Sequence, residues 1–387
     1  MVLGVLREAD PAERRVALVP AAVPALKKAG AEVLIQTNAG KAAGFTDDQF
    51  AAKGATLVGN RAEIFSRANI ILQVRSLGAC LEFADADLAM LRKDQVLIAG
   101  CEPLWSPEAI GKAAATGATV FALELVPRIT RAQSMDILSS MATIAGYRAV
   151  LLAATESPRM FPMMMTAAGT LKPARVLVIG AGVAGLQAIA SAKRMGAVVF
   201  GYDIRPAVKE QVESLGGKFV VLDVKADNAE SAGGYAKQMS DEFYRQQREA
   251  LKKVIADCDV VITTAAIPGK KAPVLVTREM VEAMAPGSVV VDIAAERGGN
   301  CEVTVAGETL ELNGVRVLGP VNLASSIPVH ASEMFSKNIT TFLMPMIKSG
   351  SVKIDTADEI IRETLVTQSG EVVNDHVREL LSVPVVR

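Results

Sequence analysis

Three glycines, Gly180, Gly182 and Gly185, stand between an apolar run, Arg175–Ile179, and an alanine-rich stretch over residues 186–195. In that setting each has its own physical task. Gly180 permits a tight turn out of a strand, Gly182 lets the backbone approach a pyrophosphate, and Gly185 lets helix and strand pack closely. The helix opened by Val183 offers unpaired N–H groups and the positive end of its dipole to phosphates. The next apolar run ends at Tyr202, and Asp203 follows 23 positions after Gly180. A carboxylate there accepts hydrogen bonds from ribose hydroxyls and repels a 2′-phosphate, favouring NAD(H) over NADP(H). Ile204 and Arg205 come next, and the Arg205 guanidinium would counter part of that repulsion. Thr264 and Ala265 close a later run, where they could lie beside the adenosine or nicotinamide half. The expected cofactor contacts are therefore Gly180, Gly182, Val183, Gly185, Asp203, Ile204, Arg205, Thr264 and Ala265.

Two further segments carry chemistry-bearing residues without fixing their use. Arg128, Arg131, Gln133 and Asp136 fall within nine residues. Arg131 and Asp136 could form an exposed ion pair, or the group could orient a nicotinamide in a cleft between domains. Residues 223–241 are polar and contain Ala232-Gly233-Gly234-Tyr235. That segment reads equally as a solvated loop or as a lid with a glycine hinge and one aromatic ring to close over the cofactor.

Scarcities narrow the remaining chemistry. The 387 residues include only two histidines, His330 and His376, so a hydrolase triad has little raw material. Four cysteines without a C-x-x-C pair make a disulfide framework or structural zinc improbable, and no metal site is expected. Lys plus Arg number 41 against 42 acidic residues, which gives no basic surface for nucleic acid. No basic segment followed by an apolar run opens the chain, and no uncharged apolar stretch approaches a membrane span. The expectation is a cytoplasmic protein.

The elements that must position these groups recur in two sets of six. Apolar, β-branched runs occupy residues 2–6, 32–36, 56–58, 70–74, 96–99 and 119–122. They return at 175–179, 198–202, 219–222, 260–263, 288–293 and 315–318. Runs apolar on both faces and separated by helix-length segments indicate parallel strands. The fold class is therefore α/β, with two Rossmann-like, doubly wound parallel-sheet domains and a cleft between them. A long helix over residues 134–156 connects them, with Ser134 as its N-cap. Ala331-Ser332-Glu333 caps a later helix that Pro345 ends. Met163 to Met165 are expected to fill gaps in a core. The last 40 residues form a strand pair around Ser369-Gly370 and a terminal helix, packing back on the first domain. The domains are then residues 1–135 with 325–387, and residues 136–324.

The combination resembles the alanine dehydrogenase and transhydrogenase α-subunit superfamily over nearly the whole chain. The resemblance is carried by Gly4 to Glu8, Glu13 to Ala17, Gly44-Phe45, Arg128-x-x-Arg131-Ala-Gln133-Ser-Met-Asp136 and the three-glycine turn. Ser231 to Lys237, Ile267 to Lys270 and Asp292 to Asn300 extend it. The stretch over residues 128–146 and the Ala-Gly-Gly-Tyr loop are similar to the NAD(H)-binding domain I of proton-translocating NAD(P) transhydrogenase. The resemblance implies that Arg128, Gln133 and Asp136 form the catalytic set, with Ser139 beside them holding the nicotinamide, and that Tyr235 closes with its loop.

Departures from the alanine dehydrogenases point the same way. Their substrate-carboxylate lysine falls at Gln73, their catalytic histidine is missing near Ile98 to Cys101, and Glu296 replaces an aspartate. A 2-oxo acid would lack its charge partner and proton donor. Direct hydride transfer between two nicotinamides needs neither, only alignment. The resemblance therefore implies NAD(H) bound here and NADP(H) on a partner. It further implies a homodimer associated with a membrane α2 subunit and a β subunit, peripheral to the cytoplasmic face of the inner membrane. The competing reading is an alanine dehydrogenase-like oxidoreductase.

Overall fold

A computed structural model describes residues 1–222, 239–348 and 350–382. The chain divides into a first unit, residues 1–141 and 325–387, and a second, residues 142–324. In chain order the first unit contributes β1 (Val2–Val5), β2 (Glu32–Gln36), β3 (Thr56–Val58), β4 (Ile70–Arg75), β5 (Val96–Gly100) and β6 (Thr119–Ala122). The second contributes β7 (Met164–Thr166), β8 (Gly169–Leu171), β9 (Arg175–Ile179), β10 (Val198–Tyr202) and β11 (Lys218–Phe219). It continues with β12 (Val260–Thr263), β13 (Val289–Asp292), β14 (Thr309–Leu312) and β15 (Val315–Leu318). The chain returns to the first unit for β16 (Ile347–Lys348), β17 (Ser351–Val352), β18 (Leu365–Gln368) and β19 (Glu371–Val372).

The two large sheets share one winding. The first runs β19-β18-β6-β5-β4-β1-β2-β3, the second β11-β10-β9-β12-β13-β15-β14. In each, the first strand pairs in parallel with the second on one side and the fourth on the other. That is the doubly wound arrangement, with its topological switch point between β1 and β4, and again between β9 and β12. Antiparallel edge strands close each sheet: β18 against β6 and β14 against β15. Central strands β4, β5, β12 and β13 are buried almost throughout, as runs apolar on both faces require.

Several local expectations are corrected. The long helix spans Ile137–Glu156, preceded by a 3-10 turn, Thr130–Met135. Its cap is Asp136, not Ser134: the Asp136 carboxylate accepts the Ser139 N–H at 2.9 Å. This helix is also long and apolar enough by composition to cross a membrane, as core helices of soluble proteins can be. The later helix spans Pro328–Leu343, starting three residues before the expected cap because Pro328 suits a first helical position. Met163, Met164 and Met165 fill no core. They are 59%, 40% and 79% exposed on and beside the β7–β8 hairpin, while Phe161 is the buried side chain nearby.

The first unit is discontinuous, and serines hold its two segments together. Residues 6–19 run without a regular element, so their backbone donors need other partners. Arg14 N donates to Ser325 Oγ at 2.7 Å, Val16 N to Ser332 Oγ at 3.0 Å and Val19 N to Ser336 Oγ at 3.1 Å. Ser332 and Ser336 lie four apart on one helix face, buried, and so act as a template for the amino-terminal segment.

Candidate functional site

In the second unit the glycine turn sits at the switch point and is pinned across it. Gly180 takes φ +95°, donates its N–H to Tyr202 O at 2.8 Å and accepts Thr264 Oγ1 at 3.0 Å. Thr264 thereby ties the end of β12 to the turn after β9. A Cβ on Gly185 would lie 1.8 Å from Gly180 O, so helix Val183–Arg194 can approach the strand only because that residue has no side chain. Gly182 is different: a Cβ there would meet nothing within 4 Å. Gly182 is the N-cap, with no side chain capping the helix, and Val183 at the first helical position is 39% exposed. The turn leaves open space and uncapped N–H groups, which is what a pyrophosphate needs.

Asp203 lies at the end of β10, where spacing put it, but its carboxylate is already committed. Oδ2 accepts Ala181 N at 2.7 Å and Arg205 Nη2 at 2.9 Å; Oδ1 accepts Arg205 N and Nε, both at 2.9 Å. Four donors approach the capacity of a carboxylate. Arg205 is thus folded onto Asp203, not extended toward a 2′-phosphate, and a ribose diol must share or displace these bonds. Ile204 between them is partly buried.

The strand ends beside the turn rest on two buried side chains that spacing did not single out. Asn300 is fully buried. Its Oδ1 accepts Ala265 N at 2.9 Å, and its Nδ2 donates to Ala265 O and Pro273 O, each at 2.8 Å. Asp292 accepts Thr263 Oγ1, Ala294 N, Cys301 N and Thr304 Oγ1 within 3.0 Å; burial raises its carboxyl pKa despite those bonds. The legible signal was an aspartate closing an all-apolar strand, with Asn300 eight residues on.

The second candidate group lies in the first unit. Arg128 and Gln133 are exposed on either side of the 3-10 turn. Asp136 Oδ2 accepts Ser139 Oγ at 2.6 Å. Arg131 does not pair with Asp136: its guanidinium binds the Asp358 carboxylate at 2.5 and 3.0 Å, which lowers the Asp358 pKa. Tyr235 falls outside the described residues.

The first unit's own switch point is closed by a side chain. No glycine turn follows β1; instead the Glu8 carboxylate accepts Val74 N at 2.7 Å and Arg75 N at 3.1 Å. Burial, then the nearby Glu13, pushes Glu8 up to about 8. Gln73 is buried and donates to Asp87 Oδ2 at 3.0 Å, and Asp87 is ion-paired with Arg61. Beyond β5, Glu102 N donates to Glu124 Oε1 at 2.7 Å, and burial, then Glu102, lifts the Glu124 carboxyl to about 7.

The switch-point turn, its close-packed helix and the carboxylate after the next strand define a dinucleotide-binding α/β protein. The chain belongs to the alanine dehydrogenase/PNT family: the family's N-terminal domain matches residues 4–145 and its C-terminal domain residues 149–375. It is 46% identical over 377 residues to the first of the separate chains that make up the NAD(P) transhydrogenase α subunit of Rhodospirillum rubrum, covering 97% of this chain and 98% of that one. The crystal structure of transhydrogenase from Sinorhizobium meliloti superposes with a TM-score of 0.85 at 44% identity, covering 96% of this chain and all of the other. Alanine dehydrogenase of Mycolicibacterium smegmatis is more distant, 28% identical over 99% of this chain and 98% of its own length.

Proposed function

We propose that the chain is the NAD(H)-binding subunit of a proton-translocating NAD(P) transhydrogenase, Re/Si-specific and active with partner subunits. The observation that carries the reading is the open, uncapped helix start at Gly182 behind the turn locked by Thr264, in a chain so similar to transhydrogenase α subunits. The N–H groups at that helix start hold the pyrophosphate, and Gly182 admits it. Asp203 selects against a 2′-phosphate, and Thr264 with Ala265 flanks the cofactor. Arg128, Gln133, Asp136 and Ser139 orient the nicotinamide end, and Tyr235 closes with its loop. When bound, the reduced nicotinamide supplies a hydride to NADP⁺ carried by the β subunit. Gln73 in place of a lysine, and the lack of a histidine from Ile98 to Cys101, suit a transfer that needs no acid or base.

A homodimer, peripheral to the cytoplasmic membrane face through a membrane α2 subunit, completes the proposal. The exposed methionines of the β7–β8 hairpin support the dimer, since such apolar surface is costly to leave in water. The test mixes the chain with a cognate NADP(H)-binding domain and follows hydride exchange between NADH and thio-NADP⁺. Rapid exchange is expected; NADH binding without exchange would refute the transhydrogenase role. NADH consumption by the chain alone with pyruvate and ammonium would favour the alanine dehydrogenase reading instead.

A further inference from the structure

The first unit carries a cavity of about 680 Å³ away from its switch point, between the 3-10 turn Pro20–Ala22, the helix Asp47–Ala52 and the helix Pro328–Leu343. Ser336 fixes the turn to the long helix through Val19 N, and small side chains such as Ala22, Ala25 and Ala52 leave the space between unfilled. The ring of Phe45 and the ring of Pro20 add apolar wall. The volume lies in the range of small-molecule sites, about 300–1,000 Å³.

Two independent features of the lining point to a ligand and to its charge. Thr340 Oγ1 is buried and has no hydrogen-bond partner among the described residues. A mid-helix threonine ordinarily donates to the carbonyl four residues back, as Thr341 does to Lys337 O at 2.7 Å. A buried donor left unpaired is costly, so an acceptor arriving in the cavity gains from it. Lys53, Lys337 and Glu333 stand around the same space, and none is ion-paired among the described residues. Two ammonium groups against one carboxylate leave a single positive charge.

We propose that this cavity is a second ligand site, taking an amphipathic organic monoanion: a carboxylate on an apolar chain. The apolar chain lies along the alanine and proline walls, and the carboxylate meets the lysines and the Thr340 hydroxyl. The site is separate from the dinucleotide turn and does not depend on the transhydrogenase reading.

The test titrates the full chain with sodium decanoate by calorimetry. Saturable one-to-one binding is expected. Ala25→Trp, at an exposed position, should abolish it by filling the cavity, while leaving the far-ultraviolet dichroism and NADH affinity unchanged. The surface double variant Lys53→Glu/Lys337→Glu should weaken it by at least about tenfold, whereas decanol binding should hardly respond to the charge reversal. Decanoate binding unaltered by both variants, or non-saturable at millimolar concentration, would overturn the proposal. A change of oligomeric state in Ala25→Trp, without decanoate binding to the parent, would make the cavity an interface between copies and overturn it too.

Discussion

Alanine at Gly185 and alanine at Gly182 should fail in opposite ways. At Gly185 the new Cβ lies 1.8 Å from Gly180 O and 2.8 Å from Gly180 C, whereas ordinary contact begins at 3.4 Å. Helix and strand must part by about 1.6 Å, the difference between those contact distances, against backbone that cannot rotate away. Overpacking of this kind costs about 2–3 kcal/mol. Replacing a mid-helix glycine returns about 1 kcal/mol. The net loss is about 1–2 kcal/mol, or roughly 2–8 °C in the melting temperature for a unit of this size. At Gly182 the Cβ meets nothing and φ is −76°, so stability should stay within about 0.5 kcal/mol. That Cβ would occupy the space left for the pyrophosphate, and NADH affinity should fall at least about tenfold, or 1.4 kcal/mol. Calorimetric melting and NADH fluorescence titration of both variants separate the two effects. Wild-type NADH affinity in Gly182→Ala would show that the open face is not the phosphate site. Wild-type stability in Gly185→Ala would refute the packing argument.

Asp203→Ala releases Arg205 from the carboxylate, so NADH should bind more weakly and discrimination against NADPH should shrink by at least about tenfold in competition titrations; undiminished discrimination would contradict the assignment. Asp136→Asn keeps an acceptor for the Ser139 N–H, so melting should report less than about 1 kcal/mol of loss while NADH affinity drops further. Losses of equal size would reduce Asp136 to a helix cap. The Glu8 carboxyl, raised from 4.5 to about 8, keeps its proton in the native state where the unfolded chain has lost it. Its contribution to stability therefore falls as pH rises from about 4.5 to 8, and Glu124, raised to about 7, acts in the same direction. Urea midpoints for the first unit should be lower at pH 8 than at pH 5.5, and Glu8→Gln should narrow that gap; an unchanged gap would exclude Glu8 as its source.

The parallel strands were legible because burial on both faces leaves an unmistakable apolar run: β2, β9, β10, β12 and β15 have the bounds expected. The third strand of the second sheet is shorter than expected, Lys218–Phe219 in place of residues 219–222. Edge strand β14 was missed, although Asn313-Gly314, both with positive φ, is a strong hairpin signal. Its alternation of exposed and half-buried residues hides it from a search for fully apolar runs. Spacing located Asp203 but not the return of Arg205 onto it, because a rotamer is decided by local competition among donors. Ser332 and Ser336 looked like capping residues; only their long-range backbone partners reveal another task. Gly146 lay in a recognised stretch, yet its role is steric: a Cβ there would fall 2.0 Å from Ala184 O, so this glycine lets the long helix press against the glycine-motif helix.

The serine template also sets a clock. Arg14, Val16 and Val19 find their partners 311, 316 and 317 residues later in the chain. At about 5–20 residues per second of synthesis, those backbone groups wait roughly 15–60 s for the helix that satisfies them. The contiguous second unit emerges complete during that interval. The domain begun first is therefore the one finished last, and its apolar strands stand open meanwhile as the natural substrate for a ribosome-associated chaperone.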